Sequence, residues 1–152
     1  MKFTYELVGV GWASATLGDG QTEIKIRASY LADALGDLLE AVGTLLEGAA
    51  SARCGWEEEP GEWRWIFSRR GDDVLLMILG LPDNFPPLPD EEGTEVLTVR
   101  EPLESIATTI SETAQQVLDR YGEEEYRRIW VDAPFPTGQL HRVQEALARL
   151  QS

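Results

Sequence analysis

The spacing of the apolar residues changes at Ser29, and this change constrains the fold more than any other feature of the chain. In TEIKIRAS (22–29), Ile24, Ile26 and Ala28 fall on one side and Glu23, Lys25 and Arg27 on the other, the two-residue repeat of a half-buried strand. Beyond Ser29, Leu31, Leu35, Leu38, Val42 and Leu45 recur at threes and fours, the repeat of an amphipathic helix. Ser29 is placed to cap that helix, Asp33 and Asp37 sit near its favourable N-terminal end, and Gly48 is placed to stop it. Gly36 and Gly43, seven apart inside it, are expected to let it lie close to a sheet.

Either side of this switch the pattern continues. Phe3, Tyr5 and Leu7 alternate, then slip at Leu7-Val8 through Val10 and Trp12, which predicts a bulge near Gly9 or Gly11. LGDGQ (17–21) predicts the turn that pairs this strand with TEIKIRAS. Three strands are expected at 51–58, 62–70 and 73–81, divided by Pro60-Gly61 and by RRGDD. Pro82, Pro86, Pro87 and Pro89 then exclude regular pairing and predict an extended surface loop before a last strand at 95–100. Pro102 opens a second helix with its buried stripe from Leu103 to Tyr121, and Gly122 ends it. EEEYRRIW (123–130) reads as a short helix that inserts Tyr126, Ile129 and Trp130, and Thr137 as the cap of a final helix carrying Leu140, Val143, Leu147 and Leu150.

The expected class is therefore α+β, with a largely antiparallel sheet of about six strands packed against two or three helices in the order ββαββββαα. Residues 1–152 read as a single globular domain, with no internal repeat and no shift of composition. A hydrophobic fraction of 43% beside 26% charged residues is that of a chain with a real core.

The net charge of -14 is spread along the chain: residues 1–76 hold 7 basic and 13 acidic side chains, residues 77–152 hold 6 and 14. Nucleic acid and anionic membrane both demand clustered cations, so neither is an expected partner. A protein partner, a basic one for preference, is. The N-terminus has no sustained apolar core of a signal segment and no window is apolar enough to span a membrane, which predicts a cytoplasmic protein.

Few residues carry chemistry. Cys54 is the lone cysteine and His141 the lone histidine, which leaves little for a metal site or a histidine-dependent triad. The acidic runs at Glu57 to Glu59 with Glu62, Asp72-Asp73, Asp90 to Glu92 and Glu123 to Glu125 lie in expected turns and lack the spacing of a cation loop. There is no phosphate-binding glycine motif and no nucleophile elbow. No catalytic residue, cofactor or metal is predicted.

GWEEEPGEWRW (55–65) is the candidate interaction surface, formed by Trp56, Glu57, Glu58, Glu59, Glu62, Trp63 and Trp65. Alternation puts Trp63, Trp65 and Phe67 on one face of a strand and Arg64, Ile66 and Ser68 on the other. If helices cover the indole face it is core, and if they do not it is an exposed aromatic ribbon of the kind that marks an interface. Arg64 and Arg69 are placed to pair with Glu57 or Glu58 across the hairpin.

The runs YELVGVGWA, SYLADALGDLLEAV and EPGEWRW resemble an uncharacterised family of small acidic bacterial proteins, over about the first half of the chain. That resemblance implies no activity. In general character, a small acidic α+β chain without catalytic groups is similar to immunity proteins that neutralise secreted bacterial toxins. The expected function is a non-catalytic cytosolic binding protein of this kind. The alternatives are a small-ligand domain or enzyme with a pocket lined by Trp12, Trp56 and Tyr30, and a subunit of a homo-oligomer.

Overall fold

The segment Gly9 to Gly11 turns the first strand back on itself. In the computed structural model, which describes residues 1–131 and 133–152, β1 (Lys2–Leu7) and β2 (Trp12–Gly18) form an antiparallel hairpin in which Leu7 faces Ala13. Gly9 and Gly11 both have positive φ, 106° and 80°, which permits a tight turn where a single bulged strand was expected. β3 (Glu23–Ser29) pairs with β2 to complete a three-stranded sheet.

The meander after the first helix forms a second sheet of β4 (Ser51–Glu57), β5 (Glu62–Arg70), β6 (Asp73–Leu81) and β7 (Thr94–Pro102), antiparallel throughout and in chain order. The α+β class and antiparallel pairing stand. The strands number seven rather than about six, and they divide between two sheets.

The sheets face one another through aromatic side chains. Phe3 and Tyr5 of β1 pack edge-on or tilted against Trp56 of β4 and Trp65 of β5, with ring centroids 5.7 to 6.5 Å apart. Trp56 and Trp65 lie 4.8 Å apart and Trp65 stacks on Phe67. Ala13, Ala15 and Ala28 keep part of the first sheet's inner face low while the buried Leu17 and Ile26 fill the remainder, so large and small residues interdigitate across the layer.

Three helices close the remaining sides. α1 (Ala34–Leu46) begins later than Ser29: Asp33 is its N-cap and accepts from Gly36 N at 3.2 Å, while Ser29 Oγ accepts from Leu31 N within the connection. The two glycines of α1 serve neighbours other than the sheet. A Cβ at Gly36 would strike the capping carboxylate of Asp33, and one at Gly43 would press on Arg142, which bonds Glu40 at 2.7 Å and also Glu47.

α2 (Leu103–Ile129) breaks at Gly122, where φ is 74° and ψ 166°. It is tied along β1 by Thr113 Oγ1 donating to the Phe3 carbonyl at 3.0 Å and by Leu7 N donating to Tyr121 Oη at 3.2 Å. The segment after the break inserts Tyr126 and Trp130 into the core beside Phe135. α3 (Thr137–Gln151) packs on α1 and α2 through Leu140, Val143 and Leu147. One continuous apolar cluster runs through both sheets and all three helices.

Candidate interaction surface

The β4–β5 hairpin divides its own residues between core and rim. Trp56 and Trp65 are 0% exposed, and the covering is the other sheet as much as the helices, since Phe3 and Tyr5 lie against them. Both indoles are thereby removed from any surface. Trp63 is half-buried: its Nε1 donates to Glu58 Oε2 at 3.0 Å, and its ring lies where a Cβ at Gly80 would fall 2.8 Å from Cζ3. The turn closes by Glu58 N donating to the Gly61 carbonyl at 2.9 Å, and Gly61, with φ 112°, could carry no side chain there because a Cβ would come 3.0 Å from the Leu81 carbonyl.

Two of the hairpin's glutamates are engaged within the protein. Glu62 is bidentate on Arg64, with Nε at 3.1 Å and Nη2 at 2.8 Å, and Glu58 holds the Trp63 indole. Glu57 is half-buried and Glu59 exposed. Arg64 therefore bonds Glu62 beside it and Asp90 beyond, at 2.7 Å, in place of Glu57 or Glu58.

Asp90 also accepts from Arg53 at 2.6 Å, so one carboxylate of the proline-rich connection clamps β4 and β5 together on the outer face of the second sheet. Arg53 and then Arg64 hold the Asp90 carboxyl below the ordinary range, while Glu62 foremost raises Arg64. This clamp explains Gly55 in mid-strand: a Cβ there would meet Glu62 Oε2 at 2.3 Å and push it off Arg64.

The lone cysteine and the lone histidine lie apart, one in a groove beside α1 and the other on α3. Cys54 lines a shallow groove between α1 and β4 with Asp37 and Glu40, and burial, then Asp37 and Glu62, push its thiol far up, which leaves little thiolate at neutral pH. His141 is exposed on α3. Among the described residues no group of three or more His, Cys, Asp or Glu is arranged to hold a metal ion. Trp12, Tyr30 and Trp56 do not share a pocket: Trp56 is in the core, Trp12 lies under the Arg27 guanidinium at 4.4 Å, and Tyr30 is exposed.

Phe85 stands exposed in the connection that Asn84 ties to the hairpin, and Leu150 near the end of α3, but the other exposed large apolar residues gather elsewhere. Val8, Val10, Tyr30, Leu31 and Val131 are 45% to 66% exposed, and three chain segments bring them to one end of the first sheet. Gly11 N donates to the Ile129 carbonyl at 2.7 Å and Tyr30 N to the Gly11 carbonyl at 2.9 Å. A Cβ at Gly11 would lie 2.8 Å from Tyr30 Cδ1 and 3.5 Å from Val131 Cγ2. Val131 itself has φ 52°, a left-handed conformation that a β-branched residue adopts only under strain of about 1–3 kcal/mol. Periodicity does not reveal this cluster, because it belongs to a turn and two connections. The legible sign was apolar Val8 and Val10 in a glycine turn, where polar residues are usual.

Asp33, two residues beyond Leu31, is raised above the ordinary carboxylate range by burial. Asp37, one helical turn on, is raised by burial and then by Asp33 and Glu40.

No protein-family model matches the chain, and no curated protein matches it. Among solved structures, a chain of the CdiA-CT/CdiI toxin and immunity complex from Enterobacter cloacae is similar in fold, with a TM-score of 0.50 at 11% identity. The match spans 75% of this chain and 98% of that one, so nearly the whole of that fold has a counterpart here.

Proposed function

We propose that this chain is a non-catalytic binding protein that holds a protein partner rich in positive charge, in the manner of the immunity half of a toxin and immunity pair. The observation that carries this reading is uncompensated acid. Lys2, Arg53, Arg64, Arg100, Arg120, Arg128 and Arg142 are already engaged in internal ion pairs, and a net charge of -14 remains for the surroundings. A field of that sign draws cationic proteins in and repels nucleic acid. At the hairpin tip Glu57, Glu59 and the accessible edge of Trp63 add to it. The fold likeness to a chain of a toxin and immunity complex supports the same reading.

The reading takes residues 1–152 as one domain, supported by the continuous core, and puts the protein in the cytoplasm. No helix among the described residues is long and apolar enough to cross a membrane.

The test is capture from lysate of the source organism at about 0.1 M and about 1 M salt, across which the screening length falls from about 10 to about 3 Å. The expected result is a basic protein retained at the lower salt, whose activity the purified chain suppresses. Absence of any salt-sensitive partner overturns the reading, as does stabilisation by a metabolite in a thermal-shift screen with no protein captured.

A further inference from the structure

The apolar end of the first sheet has two properties that fold stability does not account for. Val8, Val10, Tyr30, Leu31 and Val131 stand exposed together although the core is complete beneath them. Val131 is also held at φ 52°, where glycine or asparagine would fit without strain, so the valine side chain is kept at a position the backbone disfavours. Residues kept in strained conformations cluster where a surface is used. Beside the patch, Asp33 accepts from Gly36 N and Asp37 lies near Asp33 and Glu40, and neither forms an ion pair among the described residues, since Arg53, which lines the α1–β4 groove with Asp37, is bonded to Asp90.

We propose that this patch, with Asp33 and Asp37 at its border, is the contact surface for a basic protein that seats an apolar side chain on Val10, Leu31 and Val131 and brings a lysine or arginine to the two aspartates. The inference rests on the binding reading above and says where the contact lies. Charge selects the occupant: a second copy would bring -14 onto -14 and two more unpaired aspartates onto these, whereas a cationic partner supplies what both lack. Apolar anchors at the centre with charge at the border is the usual anatomy of a specific protein interface. The wider acidic surface, hairpin tip included, steers the partner in, and this patch holds it.

The test uses the captured protein, identified by mass spectrometry, purified and titrated by calorimetry against the full chain and five variants. Val10→Ser and Leu31→Ser are each expected to weaken the dissociation constant about tenfold or more, as loss of a central anchor does. Asp33→Asn with Asp37→Asn is expected to weaken it several-fold at about 0.1 M salt and hardly at all at about 1 M. Val131→Gly separates binding from folding: it is expected to weaken binding while leaving the thermal midpoint equal or higher, because glycine relieves the strain.

If these variants bind like the parent while Glu57→Gln with Glu59→Gln abolishes binding, the inference falls and the binding reading stands. If no protein is captured at all, both fall. A dimer of the chain by light scattering, dispersed by Leu31→Ser, would make the occupant a second copy and overturn the proposal.

Discussion

Replacing Arg64 by methionine removes the centre of the clamp on the outer sheet and leaves the stem's packing in place. Arg64 is only 9% exposed and bonds Glu62 twice and Asp90 once, at 2.7 to 3.1 Å. Without it, Asp90 keeps Arg53, but Glu62, whose side chain is 15% exposed, is left charged with no partner. Breaking a buried pair in this way costs about 3–5 kcal/mol. Glu62 retains some solvent contact, so the cost falls at or below the floor of that range, and we expect Arg64→Met to cost about 2–3 kcal/mol.

For a domain of this size that is a fall of roughly 5–10 °C in the thermal midpoint. Adding Glu62→Gln removes the stranded charge and is expected to recover more than half of the loss, since a pair replaced on both sides is close to neutral. Urea unfolding followed by tryptophan fluorescence on the parent, the two single variants and the double variant gives the coupling directly. A single-variant loss below about 0.5 kcal/mol, the size of an ordinary surface change, would refute the burial argument. So would a double variant no more stable than Arg64→Met.

Three further outcomes follow from other parts of the structure. With the tryptophans resolved by single Trp→Phe changes, acrylamide should quench Trp56 and Trp65 scarcely at all and Trp63 to an intermediate degree; strong quenching at Trp65 would contradict the sheet-on-sheet packing. The buried Tyr126 hydroxyl meets the equally buried Tyr5 hydroxyl, so Tyr126→Phe should cost no more than about 1 kcal/mol, the net worth of one neutral hydrogen bond, and a loss well above that would refute the pairing. Asp33 has a raised carboxyl pKa in the folded state, so its stabilising contribution is full below the unfolded carboxylate pKa, is lost as pH rises through the folded one, and is negative by comparison at neutral pH. Asp33→Asn keeps an N-cap without the charge and should raise the thermal midpoint at pH 7, with the gain shrinking as pH falls; a lower midpoint at pH 7 would refute it.

What could be read in the sequence was local. The bounds of β5 and β6, the opening of α2 after Pro102 and its break at Gly122 follow from alternation, proline geometry and glycine. Even the insertion of Tyr126 and Trp130 was visible in EEEYRRIW. What was hidden required two distant segments at once. Alternation shows that Trp65 faces one side but not that Phe3 and Tyr5 come from another sheet to cover it. Arg64 looks like an exposed strand residue until Asp90, 26 positions away, is laid over it by a loop whose prolines predict only irregularity. Gly9 and Gly11 admit a bulge or a turn equally, and the choice was made by the pairing of Leu7 with Ala13. The helix start moved from Ser29 to Asp33 for a similar reason, since Tyr30 N is engaged by the Gly11 carbonyl and the chain cannot coil before leaving it.

The two main-chain bonds that gather the Gly9–Gly11 turn, the Tyr30 connection and the end of α2 involve no side chain. The frame of that surface is consequently independent of which residues decorate it. Val8, Val10 and Leu31 can be exchanged without disturbing the register beneath, so descendants of this chain are able to change what they recognise one position at a time while each intermediate still folds. Gly9 and Gly11 are barred from such drift, because both hold a positive φ and a larger residue at Gly11 would also collide with Tyr30.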